Sequence, residues 1–265
     1  TSLTQYDATS GKACKQVSLP ARSLGSCMFA DSALMVPLAD GRLAAYDEDL
    51  TSAWVSGEGV PLGVEGATWS SCSTPAYAEG CLFVTFSYRE NGCLETKVAS
   101  FSSVDGSLLW QRELALPKGA SLDGIATGEG ALPAALYSQG RLLVSGGNSM
   151  AYLFEAASGK LLDSAATASA GLASCASPAS AGAAGEGTVL VVAASDGTVR
   201  LVEAADSSVR IGSSVSLGCA LSSCAPACVD DAVYVGGSDG SVYRLTRDGT
   251  ALSLRTDAQI PVCSS

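Results

Sequence analysis

Pro226-Ala227-Cys228-Val229-Asp230-Asp231-Ala232-Val233-Tyr234-Val235-Gly236-Gly237-Ser238-Asp239-Gly240-Ser241-Val242-Tyr243-Arg244-Leu245 is the stretch whose pattern decides the fold. Apolar and polar residues alternate along residues 232–236 and again along 241–245, the period of a strand with two distinct faces. Asp239-Gly240 between the two runs reads as a tight type I′ hairpin, in which both central residues take positive φ. Thr246-Arg247-Asp248-Gly249 then turns the chain into a last run, Thr250-Ala251-Leu252-Ser253-Leu254. The unit is four short antiparallel strands joined by three turns.

The same frame recurs upstream. Leu34-Met35-Val36-Pro37-Leu38, Asp40-Gly41 and Leu43-Ala44-Ala45-Tyr46 lead on to Trp54. Pro75-Ala76 opens a copy that runs through Cys81-Leu82-Phe83-Val84, an Asn91-Gly92 turn, Val98-Ala99-Ser100-Phe101, Asp105-Gly106 and Trp110. Pro133-Ala134 and Pro178-Ala179 open two more, with Ser158-Gly159-Lys160 and Asp196-Gly197 at their turns. A four-stranded sheet that is apolar on both faces cannot bury both alone, whereas blades stacked radially bury both and leave only short edges. A β-sandwich explains the strands but not five copies of one strand–turn order. The expected fold is therefore an all-β propeller of four-stranded antiparallel blades, forming one domain over residues 1–265.

Residues 21–57, 70–116, 124–166, 173–216 and 222–257 are the five expected whole blades. Residues 1–20 read as the third and fourth strands of a closing blade, and residues 258–265, with Ile260-Pro261-Val262-Cys263, as its start. Sharing that blade between the termini gives six.

Composition narrows the function. The net charge is −11 with 15 Lys and Arg, the opposite of the clustered basic surface that nucleic acid requires. No apolar run reaches the ~18–20 residues of a membrane helix. The chain has no His, which removes the side chain best suited to proton transfer near neutral pH and the commonest metal ligand. Neither a catalytic residue nor a metal or cofactor site is expected. Asp123-Gly124 and Glu129-Gly130, in the long Pro117–Pro133 connection, form an acidic cluster that reads as a solvated loop.

There are ten cysteines: Cys14, Cys27, Cys72, Cys81, Cys93, Cys175, Cys219, Cys224, Cys228 and Cys263. No Cys-x-x-Cys pair exists, so zinc spacing is missing, and the ten read as candidate disulfides of an oxidising, extracytoplasmic compartment, secreted or at the cell surface. Cys27, Cys72, Cys175, Cys224 and Cys263 recur near the start of the innermost strand. The others are possible local partners, and connectivity stays open.

The Pro-Ala steps, the run Val233–Leu245 and the turn Asp7-Ala8-Thr9-Ser10-Gly11-Lys12 resemble the PQQ-like, quinoprotein-type propeller repeat. That family holds quinoprotein dehydrogenases and non-enzymatic relatives of the BamB type. The resemblance implies that Trp54 and Trp110, near the end of the outer strand, dock one blade on the next. At the corresponding place after Gly159-Lys160 stands Asp163. Quinoprotein dehydrogenases need a larger ring, a calcium site, a catalytic Asp and often adjacent cysteines, which this chain does not match. The implied function is a binding or scaffold propeller for a protein, peptide or carbohydrate ligand. The alternative is an extracellular enzyme acting on a saccharide or small molecule in the funnel.

Overall fold

The computed structural model describes residues 1–23, 25–57, 68–90, 93–114, 134–145, 150–167, 179–184, 187–193, 197–205, 207–221, 226–230, 232–247 and 254–262. All regular structure among them is β-strand, and none of it is a helix long and apolar enough to cross a membrane. The chain divides into two compact units, Thr1–Glu113 and Leu114–Ser265.

The first unit opens with a two-stranded sheet of β1 (Ser2–Tyr6) and β2 (Ala13–Ser18). Next comes the meander β3 (Met28–Ala30), β4 (Ala33–Pro37), β5 (Leu43–Tyr46) and β6 (Ser52–Val55). The third sheet holds β7 (Thr68–Cys72), β8 (Ala76–Ala78), β9 (Cys81–Glu90), β10 (Cys93–Ser102) and β11 (Leu108–Glu113). Every residue of β5 is buried, as an interior strand with cover on both faces requires. One face of the β3–β6 sheet packs Val36, Leu38, Ala44 and Tyr46 against Leu3 and Val17 of the first sheet. Its other face places Met35, Leu43 and Ala45 against Leu82, Val84 and Phe86 of the third.

The second unit repeats the meander three times. Its sheets are β12 (Leu136–Ser138) to β15 (Leu161–Ala166), through β13 (Arg141–Ser145) and β14 (Met150–Glu155); β16 (Ala179–Ala184) to β19 (Ser208–Ser216), through β17 (Gly187–Ala193) and β18 (Thr198–Ala205); and β20 (Ala227–Val229) to β23 (Leu254–Pro261), through β21 (Ala232–Gly236) and β22 (Ser241–Arg247). Val189, Val191, Val199 and Leu201 meet Val233, Val235 and Leu245 between the last two sheets. Leu143, Ala151 and Leu153 meet Val192, Val202 and Ala204 between the first two.

Three features depart from the sequence reading. First, residues 258–261 do not open a further blade: they continue β23 alongside β22, with Ala258 opposite Arg244 and Pro261 opposite Ser241. A register shift at Arg244/Leu245 lets the strand run on past Asp257. Second, the third sheet gains β7 as an additional strand, starting at Thr68, before the expected boundary at 70. β9 and β10 are ten residues each, so the inner edge of β9 is long enough for β8 to pair with residues 81–83 and β7 with 86–89. Pro75, which has no N–H to donate, lies between the two pieces. Ser73 spans the break: its N–H donates to the Thr85 carbonyl at 2.8 Å, and the Thr85 N–H donates to its hydroxyl at 3.0 Å.

Third, the Asp-Gly turns at residues 40–41 and 239–240 are not type I′. At Asp40-Gly41 and Asp239-Gly240 only the glycine has positive φ. The Gly41 N–H donates to the Leu38 carbonyl at 3.1 Å and the Leu38 N–H to the Arg42 carbonyl at 2.8 Å, a three-residue loop closed by a left-handed glycine. Among the described residues, consecutive positive φ values of type I′ fall in the turns after β3, β8 and β12: Asp31 and Ser32, Glu79 and Gly80, Gln139 and Gly140.

Candidate binding surface

Among the described residues, one turn pattern recurs between β1 and β2, β10 and β11, and β14 and β15. The Asp7 N–H donates to the Lys12 carbonyl and the Gly11 N–H to the Asp7 carbonyl; Ser102–Ser107 and Glu155–Lys160 close the same way. In two sheets this turn is tied to the type I′ turn beside it, through Ser103 N–H to the Gly80 carbonyl and Ala156 N–H to the Gly140 carbonyl, both 2.9 Å. The two turns therefore form one end of the sheet.

These ends carry contacts between neighbouring sheets. The Trp54 ring lies over Gly106, and its indole N–H donates to the Ser103 carbonyl at 3.1 Å. Asp163 stands in the third place of β15, as Trp54 does in β6, and it too reaches the next sheet. Its Oδ2 accepts the Val209 N–H of β19 at 2.7 Å, and its Oδ1 accepts the Ser164 N–H at 2.8 Å. Sequence reading treats Asp163 as drift from the tryptophan, but the contact persists with acceptor in place of donor. Replacing Asp163 with alanine would leave a half-buried N–H unpaired, and a loss of about 1–2 kcal/mol in urea denaturation is expected. An unchanged midpoint would show that water replaces the carboxylate. Trp110 is buried, with its ring 6.0 Å from that of Phe83 and the Arg112 guanidinium 6.0 Å from it.

Two carboxylates are held by neutral hydroxyls. Asp31 accepts the Tyr77 hydroxyl and the Ser103 hydroxyl, each at 2.6 Å. These bonds, with Ser103 foremost, hold its carboxyl below the usual carboxylate range and push the Tyr77 phenol up. Asp239 accepts the Tyr243 hydroxyl at 2.6 Å, the Ser241 N–H at 3.1 Å and the Gln259 amide at 3.1 Å. Tyr243 also lies 3.5 Å from the Cys219 sulfur, and its phenol is pushed well up, chiefly by the bond to Asp239. At the matching turn Asp40 is instead neutralised by Arg42 at 2.6 Å.

No group of three or more His, Cys, Asp or Glu suited to a metal occurs among the described residues. Asp123 and Glu129 lie outside the described residues, as do Cys175, Cys224 and Cys263. Cys93 is described for its backbone alone. Cys14, Cys27, Cys81, Cys219 and Cys228 stand as thiols in this structure, and burial pushes the Cys228 thiol up to about 11. Of the five cysteines assigned to one ring, the two described ones, Cys27 and Cys72, do not share a position. Cys27 immediately precedes β3, whereas Cys72 ends β7 and is separated from β8 by the Ser73–Pro75 break.

Comparison with known proteins agrees with this architecture. The profile of the family described as outer membrane protein assembly factor BamB matches residues 1–162. The crystal structure of BamB from Moraxella catarrhalis superposes with a TM-score of 0.63 at 15% identity, covering 97% of this chain and 66% of that one. The computationally designed Ika8 protein superposes with a TM-score of 0.55 at 13% identity, covering 83% of this chain and 57% of that one. The chain thus spans 66% of the BamB structure it matches. No curated protein sequence matches the chain. The repeated antiparallel sheets are β-propeller blades, and with more than half its length matched, the chain belongs to the PQQ-like repeat family of the assembly factor BamB.

Proposed function

We propose that this protein is a non-catalytic propeller that works outside the cytoplasm as a scaffold for a protein partner. The observation that carries the reading is membership of a family whose described member is an assembly factor, a role performed by contact with other proteins. The geometry supports it. The carboxylates Asp31, Asp163 and Asp239 are engaged in hydrogen bonds that hold turns and sheets together, an arrangement suited to a rigid frame. A rigid frame that presents turns at its ends is the usual platform for recognition loops. Work outside the cytoplasm would account for the ten cysteines, which we expect to pair there.

The test is isolation of the native protein from its own cells, with crosslinking and without reductant. A protein partner crosslinked in near-stoichiometric amount is expected, together with fewer than ten alkylatable thiols after denaturation. Recovery of the chain alone would overturn the scaffold reading. Ten reactive thiols would overturn the compartment.

A further inference from the structure

In the first unit, one sheet end combines an uncompensated anion with exposed apolar surface. Asp31 is bound by two neutral hydroxyls, and among the described residues no Lys or Arg pairs with it. Two residues before it on β3, Phe29 is 65% exposed; Tyr77, whose hydroxyl reaches Asp31, is 37% exposed; and Val104, next to Ser103, is 83% exposed. Asp239 is also exposed, but its partner Tyr243 is only 5% exposed, so hydrogen bonding there ties the turn to the core. Hydrogen bonding does not explain why Phe29, two residues from Asp31 in the chain, and Val104, next to the Asp31 partner Ser103, are left in water.

We propose that the Phe29–Asp31–Tyr77 end of the first unit receives an arginine side chain from a protein partner, with a neighbouring apolar residue of that partner resting on Phe29 and Val104. This rests on the scaffold reading and names the chemistry of the contact. A guanidinium fits better than an ammonium: it is planar, weakly hydrated and able to bond a carboxylate while lying on an aromatic face. Asp31 is already oriented by the bonds from Tyr77 and Ser103, so little side-chain entropy is lost when the cation arrives. The overall charge of −11 draws cationic segments toward the chain and raises their encounter rate.

The test is a titration of the full chain, followed by amide resonances, with the peptide acetyl-Ala-Leu-Arg-Leu-Ala-amide and its citrulline counterpart. Citrulline keeps the shape and removes the charge. Shifts confined to the amides around Asp31, Ser103 and Val104 are expected, with the arginine peptide bound about fivefold more tightly. Asp31→Asn should abolish the preference, and Phe29→Ala, which removes an exposed ring at little risk to folding, should weaken binding roughly two- to fivefold. Asp49→Asn removes the same charge from another turn of the unit and should leave the preference intact. Equal binding of both peptides, loss of preference in Asp49→Asn, or no shift near Asp31 would overturn the proposal. A natural partner captured equally by wild type and Asp31→Asn would also overturn it while leaving the scaffold reading in place.

Discussion

Replacing Gly197 by alanine is expected to destabilise the second unit by about 3 kcal/mol or more, an effect well above that of an ordinary substitution. Gly197 is buried at the turn before β18, with φ at +89° and its carbonyl accepting the Leu217 N–H at 3.0 Å. A side chain in this left-handed region costs about 1–2 kcal/mol by itself. A Cβ would also overlap the carbonyl oxygen of Cys219 and stand 3.1 Å from its carbonyl carbon. Those are backbone atoms, which no rotamer change can move aside. The segment after β19 must shift, which breaks the Leu217 bond and loosens the packing of Leu217 and Cys219 on the core. Gly218 supplies the control, because its φ is +71° but a Cβ there meets nothing within 4 Å. Gly218→Ala should lose only the conformational part, about 1 kcal/mol. The two variants should melt roughly 5 °C apart or more. Equal losses would show that backbone approach at Gly197 is not limiting.

The strand–turn order was legible because it depends on alternation, which is local. Four strands per unit, the Pro-Ala steps and the hairpin at residues 232–247 can all be read from side chains that succeed one another in the chain. What crosses between sheets was not legible. Asp163 looked like a lost tryptophan because sequence gives the residue and not the polarity of its neighbour, and a backbone N–H at Val209 accommodates a carboxylate as well as a carbonyl at Ser103 accommodates an indole. The type I′ turns were misplaced for a related reason. Asp31-Ser32 and Gln139-Gly140 carry weaker turn signals than Asp-Gly, and the length of the hairpin, not the dipeptide, decided which turn took two positive φ values. β7 was missed because its partner is the far half of β9, beyond the break at Pro75. The Asp31 surface was invisible for the same reason, since Tyr77 and Ser103 stand 46 and 72 residues away along the chain.

Trp54 and Gly106 should show this cross-sheet dependence as an energetic coupling. The indole gives Ser103 a hydrogen bond and covers the turn at Gly106, whose φ is +70°. Trp54→Ala removes the bond and most of the ring from a partly buried site, and a loss of about 2–3 kcal/mol is expected, below that of a fully buried tryptophan. Gly106→Ala is expected to cost about 2 kcal/mol, part from the left-handed backbone and part from steric conflict. A Cβ at that position would overlap the ring, at 2.7 Å from its Cζ3 and 3.0 Å from its Cδ2. Once the ring is gone the second part disappears, so in the Trp54→Ala background Gly106→Ala should cost only about 1 kcal/mol. The double variant should therefore be more stable than the sum of the single losses by about 1 kcal/mol, which urea denaturation of the four proteins would resolve. Strict additivity would mean that the ring does not rest on the turn. In that case the blade contact would rest on the packing of Met35, Leu43 and Ala45 against Leu82, Val84 and Phe86 and on the hydrogen bonds of Asp31 to Tyr77 and Ser103.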